Sequence, residues 1–553
     1  MIELARILVT SALPYANGEI HIGHIVSTYL PADIFTRFCK LCKHEAIHIC
    51  GTDDFGVPIL IKAEQEKKSP EEFVNFWHAQ QLRDLKSAGI NFEIFHQTHS
   101  KENVELVQHF FKVLNAKGFI YTKEIEQAYC ENCKRFLPDR YIRGTCTYCG
   151  SKDQYSDSCE VCGRALHPGE IKDPHCAVCG STPISKTTIH YFFDLPHFSE
   201  DLKKWLEENQ NLQPEVKNYV LEWIKEGLRE WDITREIPWG VPIPLKEAKG
   251  KVLYNWFDNH IGYISFALKY FADKGLDGKE FWNSAKIYHF IGKDIVYHHY
   301  LFLPAMRIGE GNYKLPDFIP TRGHLMLQGQ KLSKSRGWYI SLRSFLEAFP
   351  ADYLRFYLTR ITPYSQADIN FDWGDFQVKI NNELVANIGN FVHRTLTFIW
   401  SNFGGKVPKP ASHIEEDEKF KKEIERMAPL VGGQIEKLEL DKALKSILDF
   451  SSNCNQYFQK REPWIKKSEA PTVLYLCANA VRCLAILLAP FLPFSAEKLW
   501  KILGYEDSVY KEEWLSASQL KIEPGWQIKK PEILFKIIED EEIKNQKDKL
   551  PKI

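Results

Sequence analysis

Two histidines three residues apart are the first side chains in this chain whose type and spacing could do chemistry. They are His21 and His24 in LPYANGEIHIGH, with Gly23 between them. Helical periodicity begins within this stretch, so both imidazoles are expected on one face of a first helical turn. There they could donate hydrogen bonds to a phosphate whose charge grows in a transition state, and Gly23 would leave room for an adenine or a ribose. The alternative interpretation is that one histidine caps the helix and the other packs.

The second candidate is a lysine loop, KLSKS, at residues 331–335. Lys331 and Lys334 are three residues apart and Gly337 follows, so they could form a mobile cationic clamp for a leaving pyrophosphate. Taken alone, such a loop is more often solvated surface. The sequence contains no G-x-x-x-x-G-K-[ST] motif, so a P-loop is not how this chain would hold a nucleotide. Each segment, taken alone, is open to either interpretation.

The chain has fourteen cysteines, and the eight between Cys130 and Cys179 form four C-x-x-C pairs: Cys130/Cys133, Cys146/Cys149, Cys159/Cys162 and Cys176/Cys179. Each pair offers two thiolates, and a structural zinc ion takes four, so the set suits two zinc ions. The spacing leaves the pairing open. Sequential pairing would join the first and second pairs, whereas nested pairing would join the inner two pairs and close the outer two around them.

Composition narrows the class of protein. The chain has 553 residues, a length sufficient for three to five domains. Its hydrophobic content of 44% is sufficient for sizeable cores. The net charge of −1 gives no global positive field, so a nucleic-acid partner would need a local one. Glu3 and Arg6 interrupt any secretory signal. The paired cysteines are therefore expected to bind metal in a reducing cytoplasm rather than to form disulfides.

One apolar stretch, VLYLCANAVRCLAILLAPFLPF from Val473, is long enough to cross a membrane. Asn479 and Arg482 lie near its middle, where polar and charged groups are costly in lipid. Pro490 and Pro493 break it. The sequence therefore predicts a buried core helix and no membrane partner.

Alternating strands and helices must position these residues. The patterns predict strands from Arg6 to Ala12 and from Ala46, helices from about Ile20, from Ser69 to about Gly89 and from Ser100 to Gly118. The run S-P-E-E at Ser69 is typical of a helix capping box. Strand–helix alternation indicates parallel βαβ units. The pattern breaks near Phe119, returns at Val252 and gives way to almost continuous helix from about 377 to 503. The charged stretch after Pro524 is expected to be a tail or a final helix.

HIGH after the first strand and KLSKS after the α/β region resemble the paired signatures of class I aminoacyl-tRNA synthetases. ILVTSALPYANGEIHIGH, the inserted knuckle module and FIGKDIVYHH from Phe290 resemble methionyl-tRNA synthetases, of the bacterial type with four C-x-x-C knuckles. The resemblance covers about residues 4–510. It implies an α/β fold: a Rossmann-type catalytic domain with a parallel sheet and an inserted zinc-knuckle module, followed by an α-helical bundle that binds the anticodon.

The resemblance also implies domain limits. They are a first catalytic half at 1–118, a connective insertion at 119–230 with its knuckles at 130–180, a second catalytic half at 231–325, the lysine loop with a stem-contact region at 326–380, the anticodon-binding domain at 381–520 and a C-terminal tail at 521–553. Nested zinc pairing is implied as well. Cys146, Cys149, Cys159 and Cys162 would hold the first ion, and Cys130, Cys133, Cys176 and Cys179 the second.

Further roles follow from the resemblance alone. Asp53 would pair with the substrate ammonium, Arg229 would lie near the substrate carboxylate, and the side-chain pocket would be lined by Leu13, Tyr15, Trp256, Tyr263, Ile295 and His299. Aromatic walls suit a thioether. Asn390, Arg394 and Trp464 would read the anticodon. Asn259-His260 stands where many members of the family have Ala-Pro, which is a departure in the pocket wall.

The implied activity is ATP-dependent ligation of L-methionine to tRNA(Met) through methionyl-adenylate. His21, His24, Lys331 and Lys334 would bind ATP with Mg²⁺ and stabilise its phosphates. The alternatives are another class I aminoacyl-tRNA synthetase and a non-catalytic zinc-ribbon RNA-binding protein. A monomer is expected because no additional C-terminal tRNA-binding domain follows residue 553.

Overall fold

The structure is a computed structural model that describes residues 4–156, 171–334, 336–411 and 414–551. Five parallel strands form its central sheet, in the spatial order Thr321–Arg322, Lys286–Gly292, Arg6–Ser11, Glu45–Thr52 and Ile94–Gln97. The chain order reverses between Arg6–Ser11 and Lys286–Gly292. In open parallel sheets, ligands bind beyond the carboxyl ends of the strands at such a switch point.

Helices cover both faces of this sheet because their apolar stripes need burial. They are Ile22–His24, the π-helical turn Ile25–Tyr29, Leu30–Leu41, Val57–Glu66, Pro70–Ser87, Lys101–Ala116, Asn255–Ala272, Gly278–Ser284, the π-helical turn His298–Phe302, and Leu303–Glu310. The predicted capping box is confirmed: Ser69 Oγ accepts from the Glu72 N–H at 3.2 Å, and Glu72 Oε2 accepts from the Ser69 N–H at 3.1 Å.

A long antiparallel ribbon carries the knuckle module out of the catalytic domain. It pairs Ile120–Cys130 with Ile184–Phe193, from Ile120 opposite Phe193 to Tyr129 opposite Ile184. The insertion also contains strands Arg135–Phe136, Ile142–Cys146, Gln154–Tyr155, Ile171–Cys176 and Trp231–Asp232, and helices Ser199–Glu208 and Pro214–Glu226. The antiparallel pair Thr234–Arg235 and Val252–Leu253 returns the chain to the catalytic domain. The expected insertion between two halves of the parallel sheet is confirmed.

The remainder of the chain changes from small strands to helices. Strands Leu325–Leu327, Gln330–Lys331 and Ile369–Phe371 form one sheet beside helices Leu342–Ala348, Ala351–Ile361 and Trp373–Lys379. The helical domain follows as the π-helix Ile380–Gly389 and helices Asn390–Phe403, Glu415–Glu436, Leu440–Arg461, Ala470–Leu488 and Pro493–Ile502. Short 3-10 turns occur at Asp139–Tyr141, Leu195–Phe198, Lys246–Ala248, Lys293–Ile295, Val509–Lys511 and Trp514–Ser518.

The membrane-like segment is the core helix of the helical domain, as predicted. Ala470–Leu488 is long and apolar enough to cross a membrane, but 89% of its most apolar window is buried by the rest of the protein. Its polar residues are satisfied by tertiary contacts. Asn479 exchanges hydrogen bonds with the Ile522 backbone, and Arg482 donates to the Ser516 carbonyl and to Glu512.

The residues after 520 do not form a free tail, and this expectation from the charged composition is corrected. Ile522, Ile528, Phe535 and Ile538 are buried in the same core as the helical domain. Backbone and side-chain hydrogen bonds tie the segment to Tyr353 and Asn381 before it ends in helix Asp540–Asp548. The expected final helix is therefore present. The other domain limits stay predictions.

One buried arginine joins three parts of the molecule. Arg355, on helix Ala351–Ile361, is 1% exposed. Its guanidinium donates to Asp33 of the catalytic domain at 2.7 Å and to the Gly89 carbonyl at 3.2 Å. It also donates to the carbonyls of Pro490 and Phe491 in the helical domain, at 2.9 and 2.7 Å. A guanidinium with this many partners holds the domains together through directional contacts.

Candidate active site

The predicted catalytic residues meet in one cleft of about 680 Å³ at the switch point of the sheet. The segment after strand Arg6–Ser11 forms one wall, and the segment after Lys286–Gly292 forms the opposite wall. The lining contains every residue predicted for the phosphates and for the side-chain pocket: Leu13, Tyr15, His21, Gly23, His24, Trp256, Tyr263, Ile295, His299, Lys331 and Lys334. Residues separated by more than 300 positions in the sequence therefore share one site.

His21 and His24 lie at the start of the first helix, His21 as its cap and His24 as its third residue. Their rings stack with centroids 3.7 Å apart, and the His21 backbone N–H donates to His24 Nδ1 at 3.1 Å. Burial, and then the nearby Lys334 ammonium, lower the pKa of His21 to about 3. Burial and His21 hold the pKa of His24 well below its usual range. Both imidazoles are therefore neutral hydrogen-bond donors at physiological pH.

Gly23 is where the first helix meets the lysine loop. A Cβ atom at this position would lie 2.5 Å from Leu332 Cδ1 and 3.0 Å from the His21 ring. A side chain here would therefore push away the loop and the imidazole. The predicted role of Gly23, leaving room for an adenine or a ribose, stays a prediction; the structure shows that this glycine is required by the close approach of Leu332 and His21.

The lysine loop bends back over the segment that carries the histidines. Lys334 Nζ donates to the Glu19 carbonyl at 3.0 Å, and the Tyr339 hydroxyl donates to Glu19 Oε1 at 2.7 Å. Partial desolvation, and then the Lys62 ammonium, lower the pKa of Lys334 to about 8, although the residue as a whole stays exposed. Lys331 ends strand Gln330–Lys331 at the exposed mouth of the cleft. The imidazoles and the lysine loop therefore border the same part of the cleft.

The inner end of the cleft is an aromatic pocket. Tyr263 comes from helix Asn255–Ala272, and His299 from the π-helical turn His298–Phe302, which follows strand Lys286–Gly292. The Trp256 ring stacks on His298 with centroids 3.8 Å apart, which fixes the indole as a flat wall. Such a pocket accepts a flexible apolar side chain and suits a polarisable sulfur atom.

A hydrogen bond fixes the tautomer of His299. Its Nδ1 is 3.0 Å from the Ile295 carbonyl, which can only accept, so Nδ1 carries the proton. Its Nε2 must then accept from the Tyr263 hydroxyl, 3.0 Å away. Burial lowers the pKa of His299 to about 4, so the ring is neutral. The pocket therefore contains a fixed phenol–imidazole pair without a net charge.

Asp53 lies just behind the cleft and is not one of the described residues that line it. It is 1% exposed. Its Oδ2 accepts from the side-chain amides of Asn255 and Asn259 at 3.1 and 3.2 Å, and its Oδ1 accepts from the Phe55 N–H at 3.3 Å. Burial raises the pKa of Asp53 to about 7, although both asparagines favour the ionised form. The sequence analysis missed Asn255 and noted Asn259 only as a departure.

The expected position of Arg229 near the substrate carboxylate is corrected by the structure. Arg229 lies in the exposed turn after helix Pro214–Glu226 and outside the described cleft lining. Arg235, in the same segment, lies beside the site instead. It lines a smaller adjoining cavity of about 410 Å³ together with Tyr15 and Trp256, and its guanidinium carbon is 3.9 Å from the Tyr254 ring centroid. The short strand Thr234–Arg235 turns this arginine inward, which the residue types alone did not indicate.

The outer two cysteine pairs form one cluster. The Sγ atoms of Cys130, Cys133, Cys176 and Cys179 lie within 4.8 Å of one another. The Cys130–Cys179 and Cys133–Cys176 sulfur separations are 3.4 and 3.9 Å. A tetrahedral zinc ion with bonds of about 2.3 Å separates its sulfur ligands by about 3.8 Å, so the donor set fits. The outer pairs therefore lie together in the structure, as nested pairing requires. In the predicted inner set, Cys159 and Cys162 lie outside the described residues.

Two of the predicted anticodon-reading residues meet on one surface of the helical domain. The guanidinium carbon of Arg394 is 5.7 Å from the Trp464 ring centroid and 4.8 Å from that of Phe458. Asn390 is exposed one helical turn before Arg394. The Trp464 side chain, just after helix Leu440–Arg461, is 37% exposed. An exposed indole beside an arginine and an amide has the chemistry needed to bind an unstacked base.

Comparison with known proteins identifies the family. The model "tRNA synthetases class I (M)" matches residues 7–396, and "Anticodon binding domain of methionyl tRNA ligase" matches residues 407–551. Methionine--tRNA ligases of Methanopyrus kandleri and Pyrococcus furiosus are 46% and 42% identical to this chain. These matches cover 99% and 98% of this chain and 82% and 76% of the relatives. The solved Mycobacterium tuberculosis methionyl-tRNA synthetase in complex with methionyl-adenylate shares the fold at 24% identity. The TM-score is 0.80, over 96% of this chain and 99% of that one. This chain belongs to the methionyl-tRNA synthetase family of class I tRNA synthetases.

Proposed function

We propose that the protein ligates L-methionine to tRNA(Met) in two steps within this cleft, using ATP with Mg²⁺. The observation that carries the proposal is the arrangement of the cleft. Neutral imidazoles and lysine ammonium groups border its outer part, and an uncharged aromatic pocket closes its inner end. A triphosphate fits the first environment, and a thioether side chain fits the second.

In the first step, a carboxylate oxygen of methionine attacks the α-phosphorus of ATP. The bond to the β-phosphate bridging oxygen breaks, and pyrophosphate leaves with the electron pair of that bond. Such a transfer depends on positioning and on charge stabilisation. His21 and His24 would donate hydrogen bonds to the α-phosphate, and Lys331 and Lys334 would neutralise the departing phosphates. No dedicated carboxylate cage for Mg²⁺ is proposed; the nucleotide itself would hold most of the ion's coordination.

Methionine would lie between these groups and the aromatic pocket. Leu13, Tyr15, Trp256 and Ile295 would contact its stem, and the Tyr263–His299 pair would offer the sulfur a weak directional contact. Asp53 would provide the negative charge opposite the substrate ammonium. The pocket's lack of net charge supports an apolar side chain and disfavours aspartate or lysine as substrate, because an unpaired charge is costly to bury.

In the second step, a ribose hydroxyl at the 3′ end of the tRNA attacks the carbonyl carbon of the adenylate, and AMP leaves. Asn390, Arg394 and Trp464 would hold the anticodon by stacking and by hydrogen bonds to base edges. The exposed contact between Arg394 and Trp464 supports this role.

Two structural zinc ions would fold the knuckle module, one held by the outer four cysteines and one by Cys146, Cys149, Cys159 and Cys162. The clustering of the four outer sulfur atoms supports the outer site. Thiolate ligands need reducing conditions, which supports the proposed cytoplasmic location. The monomeric state stays a prediction, to be checked by light scattering on the purified chain.

Amino-acid-dependent exchange of pyrophosphate into ATP tests the first step. Each of the twenty amino acids is supplied alone, and methionine is expected to drive exchange far more efficiently than leucine, isoleucine, valine or cysteine. Addition of tRNA(Met) should then yield methionyl-tRNA. Exchange driven best by another amino acid would overturn the substrate, and absence of exchange with all twenty would overturn the activity.

A further inference from the structure

Asn259 lies between Asp53 and the cleft, where it lines the cleft and donates a hydrogen bond to Asp53. It lies on helix Asn255–Ala272 and is 6% exposed. Asp53, the only acidic side chain bonded to it in the described structure, lies behind it. A substrate ammonium entering the cleft therefore reaches Asn259 before or together with Asp53.

The orientation of the Asn259 amide follows from its partner. An ionised carboxylate can only accept hydrogen bonds, so the Asn259 Nδ2 group must be the one that faces Asp53 Oδ2, 3.2 Å away. The Asn259 carbonyl oxygen consequently points elsewhere. It is buried, and no donor within the described residues lies in hydrogen-bond range. A buried carbonyl without a donor is costly, so a donor from the ligand would relieve that cost.

We propose that the carbonyl oxygen of Asn259 binds the α-ammonium group of methionine directly, while its NH₂ group, anchored on Asp53, fixes the direction of that carbonyl. Asn259 is then a substrate-binding residue and Asp53 supplies the charge behind it. This inference rests on the proposed function, because it assigns the amino-group contact within that same site.

Asn255 provides an internal comparison. Its amide donates to the same Asp53 oxygen and also to the Tyr15 hydroxyl, at 3.1 and 2.8 Å. Asn255, however, faces the smaller adjoining cavity rather than the cleft. Replacing it removes a donor to Asp53 without removing an acceptor from the cleft. The two asparagines therefore separate direct ammonium binding from support of the carboxylate.

The experiment compares ligands with and without the ammonium group. Asn259→Ala, the near-isosteric Asn259→Leu and Asn255→Ala are assayed with the wild type by methionine-dependent pyrophosphate exchange. Inhibition constants against methionine are measured for L-methioninol, which keeps the ammonium, and for 4-(methylthio)butanoate, which lacks it. Thermal unfolding midpoints show which variants fold.

A hydrogen bond to a charged group implies a loss of roughly ten- to a hundredfold when its acceptor is removed. Both Asn259 variants should weaken the binding of methionine and of L-methioninol by that factor. The inhibition constant of 4-(methylthio)butanoate should stay within about twofold of the wild-type value. Asn255→Ala should weaken the amino ligands less than either Asn259 variant does.

Equal weakening of all three ligands would mean that Asn259 only shapes the pocket, and unchanged binding would mean that it makes no contact; either result overturns the inference. These outcomes are read against an active wild type. A wild type that fails to exchange with methionine would instead overturn the proposed function.

Discussion

The imidazole rings of His21 and His24 lie face to face, 3.7 Å apart, and a hydrogen bond from the His21 backbone to His24 Nδ1 locks the pair. Since Nδ1 of His24 accepts, the ring carries its proton on Nε2. Burial keeps both rings uncharged. The stack therefore presents a pre-oriented N–H donor to the cleft, so little reorganisation would be needed in the proposed first step, where a phosphate gains charge.

Replacing His24 should slow the first step more than it weakens methionine binding. Loss of one donor to a transition-state oxyanion typically lowers kcat by about 10²–10³-fold. His24→Ala should show a loss of this size in pyrophosphate exchange, with the KM for methionine changed little. His24→Gln can place an amide N–H near the original Nε2 and should recover part of the rate. An alanine variant that folds and keeps its full kcat would contradict this role.

The decrease of kcat/KM for methionine at acidic pH should follow the protonation of Asp53. Burial raises the pKa of this carboxyl to about 7 in the free protein, so the neutral form accumulates as pH falls below 7. Because only the carboxylate attracts an ammonium, kcat/KM for methionine should fall through that range. Asn255→Ala removes a donor that lowers the pKa of Asp53, so this decrease should move to higher pH. A wild-type profile that stays flat from pH 8 to 5.5 would rule this out.

The number of zinc ions bound by cysteine variants should distinguish the two knuckle sites. Elemental mass spectrometry of the wild type should find two zinc ions per chain. Cys130→Ser with Cys176→Ser should remove one ion, because both sulfurs belong to the outer cluster. Cys146→Ser with Cys149→Ser should remove the other. One zinc ion in the wild type would refute the two-site assignment, and loss of both ions from either variant would show that the sites fold as a unit.

Trp464→Ala should separate the two halves of the reaction. Stacking of a base on an aromatic ring is worth about 1–3 kcal/mol, so charging of tRNA should fall roughly 5- to 150-fold in kcat/KM. Pyrophosphate exchange without tRNA should stay unchanged. Trp400 is the matched control, since it is an equally exposed tryptophan of the helical domain at 37%. Equal charging defects in Trp400→Ala and Trp464→Ala would remove the special role of Trp464.

Local sequence patterns predicted the elements that depend on local physics. The Ser69 capping box, the strand before the histidines and the core helix at Ala470–Leu488 all follow from spacing within a few residues. The histidine and lysine segments that line the cleft were also singled out, because their motifs can be read in the sequence and together resemble the paired class I signatures.

Contacts between distant residues were not predictable in this way. Asn255 lies 202 positions from Asp53, and no periodicity connects the two. The choice between Arg229 and Arg235 depends on how a two-residue strand turns, which composition does not encode. The segment after residue 520 looked like a tail because its charged residues outnumber its apolar ones. Its few buried residues, such as Ile522 and Phe535, nevertheless decide its packing.

Arg355 binds Asp33, Gly89 and the carbonyls of Pro490 and Phe491 at once, so the helical domain cannot swing freely about the catalytic domain. The distance from Trp464 to the cleft is therefore set by the protein rather than by its RNA. An RNA held at both Trp464 and the cleft, as we propose, would have to span that fixed distance.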